Sequence, residues 1–100
     1  MHTAGVYGFR SGDLEAARAL IESSLSIDME EADGGEHRYF RADLSSGPSV
    51  QIRRNSKSVL PLWHPDYGVL LFIHGPAQES IEESLQAVPG LIFLERRPTM

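Results

Sequence analysis

Apolar and polar positions along this chain follow two different periods, and the changes between them mark out its elements. Val6-Tyr7-Gly8-Phe9-Arg10 has the two-residue period of a strand, with Tyr7 and Phe9 on one face. Ser11-Gly12-Asp13 breaks the strand and supplies an N-cap, after which Leu14, Ala17, Leu20, Ile21 and Leu25 recur at helical spacing to about Ser26. Residues 28–36 end as a loop at Gly34-Gly35, with room for a short strand at their start. Residues 37–44 alternate again, with Arg38, Phe40, Ala42 and Leu44 on one side. The turn Ser45-Ser46-Gly47-Pro48 and the strand Val50-Gln51-Ile52-Arg53 complete a hairpin.

Residues 55–66 keep no regular period. Pro61 and Pro65 bracket Leu62, Trp63 and His64, which predicts an ordered but irregular connection. Residues 69–73 are apolar throughout, as in a central strand covered on both faces. Pro76 suits a first helical position, and Ala77, Ile81, Leu85 and Val88 form the buried stripe of a second helix closed by Pro89-Gly90. Residues 91–94 read as a last strand, with Arg96-Arg97-Pro98 fraying into the terminus. The expectation is an α+β domain in the order strand–helix–strand–strand–strand–helix–strand. Its sheet would be mostly antiparallel with two helices on one face, in the ferredoxin-like manner. Residues 6–21 and 69–85 read alike when set 63 positions apart, placing Phe9 on Phe72 and Gly12 on Gly75. They are two copies of one strand–glycine–helix solution.

Size and charge narrow this picture. One hundred residues make a single domain, since halves would be too small to bury adequate cores. With 41% apolar residues the chain can fill one core. The longest apolar run falls far short of the roughly 20 residues of a membrane helix. Residues 1–5 have no signal-peptide character, and cysteine is absent, so a cytoplasmic protein without disulfides or thiolate chemistry is expected. A net charge of −5 disfavours nucleic acid as a partner. Asp28, Glu30, Glu31, Asp33 and Glu36 crowd one segment, while eight of the nine cationic residues are arginines, suited to pairing with carboxylates.

Candidate chemistry is sparse. His2, His37, His64 and His74 lack the close partners of a metal-ligand motif, so neither metal nor cofactor is expected. No nucleophile elbow supports Ser-His-Asp catalysis, and His64 with Asp66 is weak acid–base evidence. Gly8-Phe9-Arg10-Ser11-Gly12 leads into a helix N-terminus, where an anion is favoured. That short segment resembles the phosphate-holding loop of acylphosphatases, which implies an acyl-phosphate hydrolase acting through Arg10. The longer glycine-rich loop is missing, and Asn55 stands at a strand end rather than on a middle strand. Residues 11–18, with the strands that follow, resemble one module of the vicinal-oxygen-chelate proteins. Gln51, Ile52 and Arg53 stand where that family places a metal-binding glutamate, which implies the scaffold without its metal.

Tyr7-Gly8-Phe9-Arg10, Tyr39-Phe40-Arg41-Ala42, Gln51-Ile52-Arg53-Arg54-Asn55 and Asp66-Tyr67-Gly68-Val69-Leu70-Leu71 resemble stretches of the small acidic bacterial immunity proteins of polymorphic toxin systems. The resemblance implies a non-enzymatic inhibitor that binds a cognate toxin, such as a nuclease with a basic groove. The expected contacts are Asp28, Glu30, Glu31, Asp33 and Glu36 for steering and Trp63, Asp66 and Tyr67 for anchoring. Alternatively, Trp63 folds back onto the sheet face that the helices leave open. The competing functional expectation is a small-molecule-binding regulatory or glyoxalase-like domain, homodimeric through an exposed sheet face.

Overall fold

A computed structural model of the chain describes residues 2–33, 38–44, 47–55, 66–75 and 79–99. Its elements are β1 (His2–Phe9), α1 (Leu14–Leu25), β2 (Glu30–Asp33), β3 (Arg38–Asp43), β4 (Ser49–Arg54), β5 (Val69–His74), α2 (Glu79–Gln86) and β6 (Leu91–Thr99). The strands form one sheet in the order β2-β3-β4-β5-β1-β6, every neighbouring pair antiparallel. The chain therefore has the expected α+β class and element order, with β2 added between α1 and the central hairpin. The β5–α2–β6 crossover steps over β1, and the β1–α1–β2 crossover steps over β5, β4 and β3. Taken alone, β1, α1, β4, β5, α2 and β6 run in the order of the expected ferredoxin-like arrangement, and β3 and β2 extend the sheet beyond it at one edge.

Strand parity explains the layers. Tyr7, Phe9, Phe40, Val50, Ile52, Val69, Leu71 and Ile73 share one face and pack with Leu14, Ala17 and Ile21 of α1 and Ile81 and Leu85 of α2. The alternate positions Val6, Leu70 and Phe72 form a second cluster on the other face, joined by Tyr67 and Leu94. Residues 69–73 are all buried, as a central strand covered on both sides requires. The Arg53 guanidinium lies 4.9 Å from the Phe72 ring centroid on that second face, a cation–π contact across the β4–β5 pair. Trp63, the expected cover for this face, lies outside the described residues.

α1 begins where the sequence says it should. Asp13 accepts a hydrogen bond from the Ala16 N–H at 3.1 Å, satisfying one of the free donors of the first turn. The helix ends at Ser26, which takes a left-handed conformation with φ 55° and donates its N–H to the Glu22 carbonyl. Leu20, expected on the buried stripe, is instead exposed; Leu14, Ala17 and Ile21 fill the contact with the sheet. A second departure is the C-terminal segment. Rather than fraying, residues 95–99 continue β6, because the early start of β1 at His2 offers their backbone a partner.

Two glycines are fixed by close approach. A Cβ on Gly8 would lie 2.8 Å from the Tyr67 ring, so that ring rests directly on the β1 backbone. At Gly68 a Cβ would come within 2.8 Å of the Gly12 backbone. The Gly68 N–H donates to the Phe9 carbonyl at 2.8 Å and its own carbonyl accepts from Asn55 N–H at 2.8 Å. This locks the β1–α1 turn to the entrance of β5.

Candidate functional site: an acidic cleft at the β2 edge

The last turn of α1, the first turns of α2 and the adjoining ends of β2 and β3 converge on an open cleft of about 740 Å³. Leu25, Ile27, Ala42, Leu44 and Ile81 supply its apolar lining, and the first four of these also pack against the main core. Asp28, Glu30 and Asp43 stand on the rim with a single cation, Arg41. Serine hydroxyls from both helices complete it; Ser24 Oγ donates to the Ser84 carbonyl at 2.7 Å, tying α1 to α2 at the cleft wall.

The α1–β2 turn holds the acids in place through Glu22. Its carbonyl accepts the Ile27 N–H at 3.1 Å and its carboxylate accepts the Met29 N–H at 2.8 Å. Arg18 reaches the same carboxylate at 3.6 Å and lies over the Phe40 ring, 4.7 Å from its centroid. Met29 is buried, so its neighbours Asp28 and Glu30 stay at the surface on either side of it. Glu30 pairs in register with Arg41, and Arg41 approaches Asp43 at 3.9 Å, both well exposed. An ion pair so open to water contributes less than about 1 kcal/mol, so it shapes the field more than it stabilises the fold.

Three carboxylates beside the negative pole of α1, whose last turn carries no basic residue, make the cleft attractive to cations. The rim and lining together suit a guanidinium or ammonium carried on an aliphatic stem. Among the described residues no cluster of three histidine, aspartate or glutamate side chains has metal-binding geometry.

The remaining expected contacts scatter. Glu31 is exposed on β2 opposite Phe40, and Asp33 ends that strand opposite Arg38. Glu36 and Trp63 lie outside the described residues. Asp66 and Tyr67 are not among the residues that line the cleft. They precede Val69, which pairs with Arg54 and Phe9, whereas Glu30 sits near the end defined by Asp43, Ser49 and His74. Through Arg41 and Gln51, Glu30 is level with Phe72, about 10 Å along β5 from Val69. Asp66 is exposed, while the Tyr67 ring is half-buried against Gly8 and its carbonyl accepts from the Asn55 amide at 2.9 Å. Of the expected contacts, Asp28 and Glu30 line the cleft, whereas Asp66 and Tyr67 stand at the Val69 end of β5.

Sequence reasoning missed Arg41, Asp43 and the serines Ser24, Ser26, Ser80 and Ser84 as partners of the acids. Asp43 closes the alternation of its strand and so passes for a solvated residue. The register linking it to Glu30 comes from the pairing of β2 with β3, and β2 itself carries little strand signal. Arg10, by contrast, is exposed at the far end of the sheet, and the Asn55 amide is engaged with the Tyr67 carbonyl.

One buried group is electrostatically distinctive. Burial raises the Tyr7 phenol above its ordinary value of 10.0, the Glu82 carboxylate raises it further, and Arg96 pulls the other way. Glu82 and Arg96 are themselves hydrogen-bonded across α2 and β6.

The chain matches no family model, no curated protein and no solved structure. No described helix is long and apolar enough to cross a membrane.

Proposed function

We propose that this protein is a non-enzymatic immunity protein that captures a basic surface of a cognate bacterial toxin in its acidic cleft. The carrying observation is the convergence of Asp28, Glu30 and Asp43 on an open, apolar-lined cleft at the C-terminal pole of α1. Such a field speeds encounter with a cationic partner, and the apolar lining gives an inserted arginine or lysine stem a surface to bury. A toxin acting on nucleic acid presents a basic groove for its substrate, so blocking that groove neutralises it without chemistry. Co-expression with the product of the neighbouring gene tests this: growth should be protected and the two proteins should co-purify. Unprotected growth together with no complex rules the reading out.

A second reading is a regulatory domain binding a small molecule. The cleft volume favours it, since ligand sites run to about 300–1,000 Å³. A ligand-induced rise in melting temperature across a metabolite panel is its signature.

A further inference from the structure

The acidic cleft lies at the last turn of α1; a second hollow, built on different chemistry, lies along its first two turns. This groove of about 340 Å³ is bounded by α1, the β1–α1 turn and the α2–β6 turn. Small residues leave the room for it: Ala16 and Ala17 on the helix, and Gly90, which turns the chain into β6 with φ 80°. Three large apolar side chains are exposed among the described residues, and two of them, Leu20 at 36% and Ile92 at 40%, line this one groove. Pro89 is exposed beside them, and the buried Phe9 lines the groove from the core. Apolar side chains that water reaches from a shared hollow are where an apolar ligand would displace that water.

The polar lining fixes the charge that such a ligand would carry. Arg10 lines the groove and is exposed. Asp13 lines it too, but its carboxylate accepts the Ala16 N–H at 3.1 Å as the cap of α1. Their formal charges cancel, and the amino-terminal pole of the helix then adds about half a positive charge. Glu15 does not line the groove and is paired with Arg18 at 3.2 Å. We propose that the groove binds an aliphatic carboxylate, its chain laid on Leu20, Ile92 and Pro89 and its head group held by the Arg10 guanidinium. The lining side chains that water reaches are aliphatic, which suits a chain better than a ring. An alkylammonium would instead meet Arg10 and the helix pole as like charges. The anion expected from the sequence at the turn before α1 is thus the head group of an apolar ligand. No lining residue is shared with the acidic cleft, whose preference is for cations, so this site stands or falls separately from the proposed function.

Amide NMR shifts of the isotope-labelled full chain at low salt, followed through titrations with octanoate, octylammonium and 1-octanol, test it. Octanoate should move the amides of Ala16, Ala17, Leu20 and Gly90 and should bind more tightly than either other probe. Arg10→Gln should weaken octanoate about tenfold and leave 1-octanol unchanged, since only a charge-assisted contact is lost. Asp13→Asn keeps an N-cap while removing the opposing charge, so it should tighten octanoate about threefold. Leu20→Gln, at an exposed helix position, should weaken octanoate and 1-octanol alike. The proposal is overturned if octylammonium binds as tightly as octanoate, if Arg10→Gln leaves octanoate binding unchanged, or if octanoate moves none of these amides. Tighter binding of a peptide ending in a leucine carboxylate would overturn it as well.

Discussion

The β2 edge and the β6 edge are built from the same backbone ladder and clothed in opposite side chains. β2 is short, three of its four residues are acidic, and it is held to the sheet by β3 and by the Glu22 carboxylate. β6 is long, apolar in its first half, and packed on β1 through Phe93 and Leu94. Charge on an edge strand discourages another strand from adding. Exposed apolar side chains such as Ile92 and Phe93 give an edge the opposite character. One sheet thus carries a short charged edge at β2 and a longer edge at β6 whose first half is apolar.

The comparison breaks most completely at Phe40, the fully buried residue of β3 that fastens the acidic hairpin to the core. Phe40→Ala should cost about 3–5 kcal/mol by chemical denaturation, through lost burial and the cavity left behind. Glu22→Ala should cost about 2 kcal/mol, since it removes a charged acceptor from the Met29 N–H and a partner from Arg18. The same experiment should then show weakened binding at the cleft without direct removal of any rim acid. Neutralising the rim itself with Asp28→Asn and Glu30→Gln should move stability by less than about 0.5 kcal/mol, as for most exposed substitutions. If those variants unfold the protein, the acids belong to the scaffold rather than to recognition.

On the β6 side the finest test is pH. The folded state binds the Tyr7 proton more tightly than the unfolded chain does, so its contribution is undiminished below the ordinary tyrosine value of 10.0. It is lost as pH climbs from there through the raised folded value. Tyr7→Phe should leave neutral stability almost unchanged and reduce the alkaline loss seen in wild-type denaturation curves. An identical alkaline limb in both proteins would contradict the electrostatic account of this residue.

The contrast between the edges also shows what a sequence can disclose. The helix α1 was legible to the residue at its start, because Asp13 after a glycine is a local signal that needs no tertiary context. The doubly apolar β5 announced its central place for a similar reason. β2 was barely visible, since Glu30, Glu31 and Asp33 have poor strand propensity and gain their conformation from pairing with β3. The end of β6 was hidden likewise, its strand character coming from β1 rather than from Arg96, Arg97 or Pro98. For the cleft, Asp28 and Glu30 were readable as a charge cluster. Their union with Asp43 was not, because it follows from the β2–β3 register, and β2 gave too little strand signal to set that register. The seat of the Tyr67 ring on the bare backbone of Gly8 was hidden as well, since it joins two strands far apart in the chain.

The association rate of the purified protein with its cognate toxin, measured by stopped flow at low and high salt, tests the central claim most directly. Asp28→Lys with Glu30→Lys should slow association about tenfold at low salt, with the difference shrinking as salt rises. Equal rates for the wild-type and charge-reversed proteins at low salt would contradict it.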